Sequence, residues 1–183
     1  ELRFFRGMLY FDLVKRYKEV IIYDKDLAKI QPNMPLSTEE QGWDFVESDL
    51  NFAGEHLKKS ATSNGRVTSG AAYALLSRAM LYAERWAKAK AAAEEVINSK
   101  LYSLVKDNYV DAFKSNSNEA IWEYDYNATN KVYHSWDNFY APGGDKKFDG
   151  NNQVGGLANP TQEMVESYEY ATTGGFPCLL YTS

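Results

Sequence analysis

With one cysteine and two histidines among 183 residues, the chain has little material for a disulfide or a metal centre. A disulfide needs a pair, so Cys178 staples nothing within the chain. His56 and His134 have no His, Cys or paired carboxylate at ligand spacing. No serine sits in a Gly-x-Ser-x-Gly elbow, so no activated nucleophile is offered. Basic charge is also short, with 20 Lys and Arg against 25 Asp and Glu and a formal net charge of -5. A protein that binds a phosphate backbone needs a basic stripe to release counterions, which excludes nucleic acid as an expected partner. No apolar run approaches the roughly 20 residues that span a bilayer, and the first residues lack the basic, apolar, small-residue order of a signal peptide.

What the chain does have is helical periodicity. Ala72, Leu75, Leu76, Ala79, Met80 and Ala83 recur at three- and four-residue steps, and Trp86, Ala89, Ala92, Ala93, Val96 and Ile97 repeat the pattern. Small residues on both stripes let two helix axes approach, so residues 64–102 read as an αα-hairpin. Ser77 falls at a small position and Trp86 at an aromatic position of the tetratricopeptide repeat. Upstream, Ser37-Thr38-Glu39-Glu40 reads as a capping box before a face of Trp43, Val46, Leu50, Ala53 and Leu57. Leu2, Phe5, Leu9 and Leu13 form an earlier apolar line. The expected fold is mostly α, with tetratricopeptide-like helical hairpins in an α-solenoid over residues 1–101, a short strand and an irregular, loop-rich lobe.

Past Tyr102 the pattern changes. Ala120 to Tyr126 alternates, with Trp122, Tyr124 and Tyr126 on one side and Ile121, Glu123 and Asp125 on the other, which predicts the strand. Residues 127–159 are rich in Asn, Gly, Asp and aromatics, and a loop of that length in a compact domain is usually functional or disordered. Residues 102–159 therefore make the strand and the irregular lobe. A last helix is predicted over 160–171, with Asn159 as cap, Pro160 in the first position and Gln162 reaching back. Residues 1–177 read as one domain. The aperiodic tail 178–183, whose residues can be encoded by a transposon end used in library construction, reads as a sequencing-adapter scar.

Aromatic residues carry the functional signal. The chain has 14 Tyr and 4 Trp against 9 Phe, a bias toward rings with a polar handle. A sugar presents a C–H patch flanked by hydroxyls, so its site needs an aromatic face beside amides and carboxylates. Tyr133-His134-Ser135-Trp136-Asp137-Asn138-Phe139-Tyr140 supplies all of these. The candidate ligand-binding residues are Trp136, Tyr133, Tyr140, Asp137 and Asn138. Asp125, Asp137, Asp145 and Asp149 are the carboxyls from which a glycosidase pair would come, but any acidic loop supplies as many. Trp43, Trp86 and Trp122 stand in periodic segments and are assigned to packing, and Arg3 and Arg66 to capping or bridging helices.

Several segments, in this order, carry a resemblance. They are Arg3-Phe4-Phe5-Arg6-Gly7 with Tyr10 to Tyr17, Asp49-Leu50 with Ala53, and Gly65-Arg66-Val67-Thr68-Ser69-Gly70-Ala71-Ala72. Leu81-Tyr82, Trp86, Tyr102, Asn118-Glu119-Ala120-Ile121-Trp122-Glu123 and Pro160 to Tyr168 continue it. Together they resemble the SusD/RagB family of outer-membrane, cell-surface nutrient-binding lipoproteins. The resemblance implies non-catalytic binding of a glycan or oligosaccharide, handed to a SusC-like TonB-dependent transporter, with no cofactor. It also implies that the leader, the lipid-anchored Cys and further helices belong to a longer protein, of which these residues are an internal fragment. The rival from another class is a tetratricopeptide adaptor that binds a peptide segment of a protein partner.

Overall fold

A computed structural model describes residues 1–23, 33–61, 63, 65–106, 108–114, 117–124, 126, 129, 131 and 160–166. The chain falls into two compact units, Glu1–Asp125 and Tyr126–Ser183.

The first unit holds four long helices: α1 Leu2–Tyr17, α2 Glu39–His56, α3 Ser69–Tyr82 and α4 Trp86–Ser99. Each boundary has a local cause. The α1 helix ends at Lys18, whose backbone turns to φ 62 while its amide bonds the Val14 carbonyl. The α2 helix starts with a full capping box. Thr38 Oγ1 accepts from the Gln41 amide at 3.2 Å, and Gln41 Oε1 accepts from the Thr38 amide at 3.0 Å. The box lies one residue later than the Ser37 to Glu40 reading, because Ser37 is engaged elsewhere. Its hydroxyl and amide both donate to the Val20 carbonyl, at 2.6 and 2.8 Å. Thr68 caps α3 by accepting from the Ala71 amide, and Lys100, with φ 54, closes α4. A 3₁₀ helix follows at Tyr109–Phe113.

Packing runs in chain order: α1 against α2, α2 against α3, and α3 against α4, with α1 and α3 meeting more lightly. The core is one cluster that includes Phe4, Phe11, Trp43, Val46, Leu50, Leu76 and Met80. Two glycines set how closely α1 and α2 approach. A Cβ on Gly7 would meet Leu50 at 2.9 Å, and one on Gly42 would meet Val14 at 2.8 Å. The α3–α4 hairpin forms as predicted, except that Ile97 of the expected α4 stripe is exposed. Ala89 and Ala92 are buried, and Ser77 Oγ donates to the Ala89 carbonyl at 2.8 Å, tying the two helices at the expected small site.

Three expectations are corrected. Leu2, Phe5, Leu9 and Leu13 are exposed, and the buried face of α1 is instead Phe4, Gly7, Tyr10, Phe11 and Val14. Both lines satisfy the helical period, and the bare Gly7 backbone decides which one α2 covers. Trp86 is 63% exposed, because it opens α4 beside the hairpin turn, where α3 has already ended at Tyr82. The described part of 120–126 contains no strand. Ala120 closes a turn through its bond to the Ser117 carbonyl, and Ile121 and Trp122 pack on the helical core. An isolated strand would leave its ladder groups unpaired.

In the second unit, α5 spans Gln162–Glu166. Thr161 Oγ1 accepts from the Met164 amide at 3.3 Å, so Thr161 takes the capping role that the sequence suggested for Asn159.

Candidate functional site

The residues predicted to bind sugar, Tyr133, Trp136, Asp137, Asn138 and Tyr140, lie outside the described residues. So do His134, Asp125, Asp145, Asp149 and the tail from Cys178 to Ser183.

Within the first unit, α1 and α3 border a cleft of about 650 Å³. Phe4, Met8, Phe11, Asp12 and Lys15 reach it from α1, at steps that keep them on one helical stripe. Ala71, Ala74, Leu75, Arg78 and Tyr82 do the same from α3. Glu119, Ile121 and Trp122 border it as well. Trp122 is fixed by its indole N–H, which donates to the Gly65 carbonyl at 3.0 Å. Its ring meets Phe4 edge-on at 5.5 Å and Phe5 at 6.2 Å. This confirms the packing role assigned to Trp122. Tyr82 stands edge-on to Phe11 at 5.5 Å. The Lys15 ammonium lies 4.9 Å from the Phe11 ring centre and 5.4 Å from that of Tyr82, and it pairs with Asp12 at 3.3 Å. Its walls are mostly apolar, with Asp12, Lys15, Arg78 and Glu119 among them.

A buried ion cluster holds α1 to α2. Asp49 is 1% exposed and accepts from Arg6 Nε at 2.6 Å and from Arg6 Nη2 at 2.8 Å, a bidentate fork. Arg3 lies 3.3 Å from the same carboxylate. The two guanidiniums also lie over the Phe52 and Phe45 rings, at 4.3 and 4.7 Å respectively. Arg3 thus bridges helices as expected, and Arg66 bonds Glu1 at 2.7 Å. The sequence reading missed Asp49 and Arg6 as partners, although the i,i+3 spacing of Arg3 and Arg6 on one face of α1 was the available signal. Arg85 bridges the α3–α4 turn to Asp44 and Glu47, at 2.7 and 2.6 Å. Burial pulls its pKa down, but hydrogen bonds to both carboxylates and their charges outweigh that and hold it above its ordinary value.

A smaller cavity of about 170 Å³ is bordered by Ser69, Gly70, Tyr73, Glu95 and Asn98 among others. Burial, with added repulsion from Glu95 and Glu55, pushes the Tyr73 phenol above its ordinary pKa. Ser69, which borders this cavity, donates its hydroxyl to the Gly54 carbonyl at 2.6 Å.

The fold defines a class: stacked helical hairpins of the tetratricopeptide-like kind. No family model matches the chain. A SusD-like protein of Bacteroides ovatus is 28% identical over 130 residues, covering 64% of this chain and 23% of that protein. The crystal structure of a SusD-like protein from Bacteroides fragilis superposes with a TM-score of 0.74 at 33% identity, covering 95% of this chain and 35% of that one. A further structure, solved with xylogluco-oligosaccharide, is 29% identical with a TM-score of 0.50, covering 63% of this chain and 26% of that one. The chain is similar to these SusD-like proteins, and it spans about a third of the Bacteroides fragilis structure and about a quarter of the Bacteroides ovatus protein.

Proposed function

We propose that the protein to which these residues belong captures a glycan, without cleaving it, at the outer surface of a bacterial cell. The observation that carries this reading is the SusD-like fold over 95% of the chain. It is supported by a structural neighbour, 29% identical, having been solved with xylogluco-oligosaccharide. The captured oligosaccharide would pass to a SusC-like TonB-dependent transporter, and a lipidated N-terminal Cys outside these residues would anchor the binder to the outer membrane. Among the described residues no helix is long and apolar enough to cross a membrane.

The ligand platform in this reading is the segment Tyr133 to Tyr140. Trp136 stacks on a sugar face, Tyr133 and Tyr140 flank it, and Asp137 and Asn138 orient the hydroxyls. Calorimetry with a panel of oligosaccharides tests it. Trp136→Ala is expected to lose about 1–3 kcal/mol of binding, by analogy with bases stacked on aromatic side chains. Tyr133→Ala and Tyr140→Ala are expected to lose less. Unchanged affinity in all three variants would remove the sugar from this segment. Detergent pull-down of the intact protein from cells grown on its glycan tests the partner. A large β-barrel transporter should co-purify through an interface above about 1,000 Å².

A further inference from the structure

We propose that the small cavity where α3 begins and α4 ends binds a small zwitterionic α-amino acid, its carboxylate toward Lys59 and its ammonium toward Glu95. Ser69, Gly70 and Tyr73 reach the cavity from α3, Glu95 and Asn98 from α4, and Lys59 from the segment between α2 and α3. Ser69 and Gly70 are buried, while Lys59, Glu95 and Asn98 are exposed at its border. Both charges are uncommitted. Among the described residues the Lys59 ammonium and the Glu95 carboxylate make no ion pair or hydrogen bond, with each other or with any other group. The Tyr73 hydroxyl and the Asn98 carboxamide likewise have no hydrogen-bond partner there. The Ser69 hydroxyl gives its proton to the Gly54 carbonyl and keeps its lone pairs, which suit an ammonium donor.

The arrangement of charge selects the ligand. The Lys58 carbonyl accepts from the Ser69 amide at 2.9 Å, which puts Lys59 near the start of α3, whereas Glu95 stands one turn before the end of α4. The two helix ends therefore add partial charge of the same sign as the side chain beside each. A simple anion would meet Glu95 unpaired, and a simple cation would meet Lys59 unpaired. One molecule carrying both signs satisfies both. Size limits it further: about 170 Å³ is the liquid volume of roughly six waters, room for glycine, alanine or serine but not for an oligosaccharide. The cavity shares no residue with the proposed sugar platform, so either proposal can fail alone.

Heteronuclear NMR titration of the 183-residue chain at pH 7 tests the inference, with L-alanine as the probe and acetate, ethylammonium, glucose and L-phenylalanine as counterparts. Alanine should give saturable shifts at the Gly70, Tyr73 and Asn98 amides. Acetate and ethylammonium, each with half of the charge pattern, should bind about tenfold more weakly, and glucose and phenylalanine should not bind. Lys59→Met should weaken alanine and acetate about tenfold and leave ethylammonium unchanged, and Glu95→Gln should weaken alanine and ethylammonium and leave acetate unchanged. Lys59→Arg should retain alanine binding. Arg16→Ala, on α1 and 64% exposed, should change nothing. The substituted cavity residues are exposed, so the fold is kept, and circular dichroism checks it. Absence of saturable shifts, binding of acetate, glucose or phenylalanine as tight as that of alanine, or indifference of alanine to both Lys59→Met and Glu95→Gln would each overturn the proposal and leave a cavity filled by water alone.

Discussion

Asp49 ties the first two helices together through a buried carboxylate. A carboxylate removed from water is tolerable only because two guanidiniums converge on it, so Asp49→Ala leaves Arg3 and Arg6 facing each other without a counter-charge. The expected loss is about 3 kcal/mol, read from urea unfolding, with Asp49→Asn also destabilising because it keeps the shape and loses the charge. Two tryptophans separate packing from exposure. Trp43→Ala should cost about 3–5 kcal/mol, since the ring is 5% exposed. Trp86→Ala should stay within about 0.5 kcal/mol, as expected for a surface position. Both residues look alike in sequence, each an aromatic at the edge of an apolar stripe, and only the register of the neighbouring helix tells them apart. Tyr73 gives a pH signature. Its folded pKa lies above the ordinary value of 10.0, so the folded state holds the proton more tightly. That stabilisation is complete below pH 10 and is lost as pH rises through the folded pKa. Melting temperatures should fall more steeply above pH 10 in the parent than in Tyr73→Phe.

Among elements, the α3–α4 hairpin was the most legible because its two Ala-rich stripes leave only one way to pack. Ala89→Trp should overpack it and cost about 1–3 kcal/mol in thermal melts. Ser77→Ala, which strands the bond to the Ala89 carbonyl, should cost about 1 kcal/mol. The first helix was legible in length and illegible in orientation. It is apolar on two sides, and the sequence alone gives Leu9 and Leu13 the same claim to the core as Phe4 and Phe11. Gly7, Gly42 and Asp49 settle the matter through close backbone approach and charge, neither of which a hydrophobic pattern encodes. The predicted strand failed for a related reason: alternation records which side chains share a face, but it does not supply a neighbouring strand. Trp122 is met by Phe4 and Phe5 of a helix instead.

At the scale of the whole molecule, the helical scaffold could be read because helical packing leaves a periodic trace, and the SusD-like resemblance rested on the order of the motifs. The cleft could not. Its walls come from residues more than a hundred positions apart, and Arg78 carries no sequence mark that distinguishes it from any other surface arginine. The sugar platform at Tyr133 to Tyr140 rests on composition alone, and its test is the calorimetric series above. If Cys178 to Ser183 is an adapter scar, deleting it should leave the melting temperature unchanged. The order of helix packing also bears on how the chain acquires its shape. Because α1 meets α2, α2 meets α3 and α3 meets α4, most closures join neighbours in sequence and cost little loop entropy. The return of Trp122 to Phe4 and Phe5 closes a much longer loop. Helical signal should therefore develop quickly after dilution from denaturant, with the indole environment of Trp122 maturing last. Its conservative truncation should speed unfolding and leave the folding rate nearly unchanged.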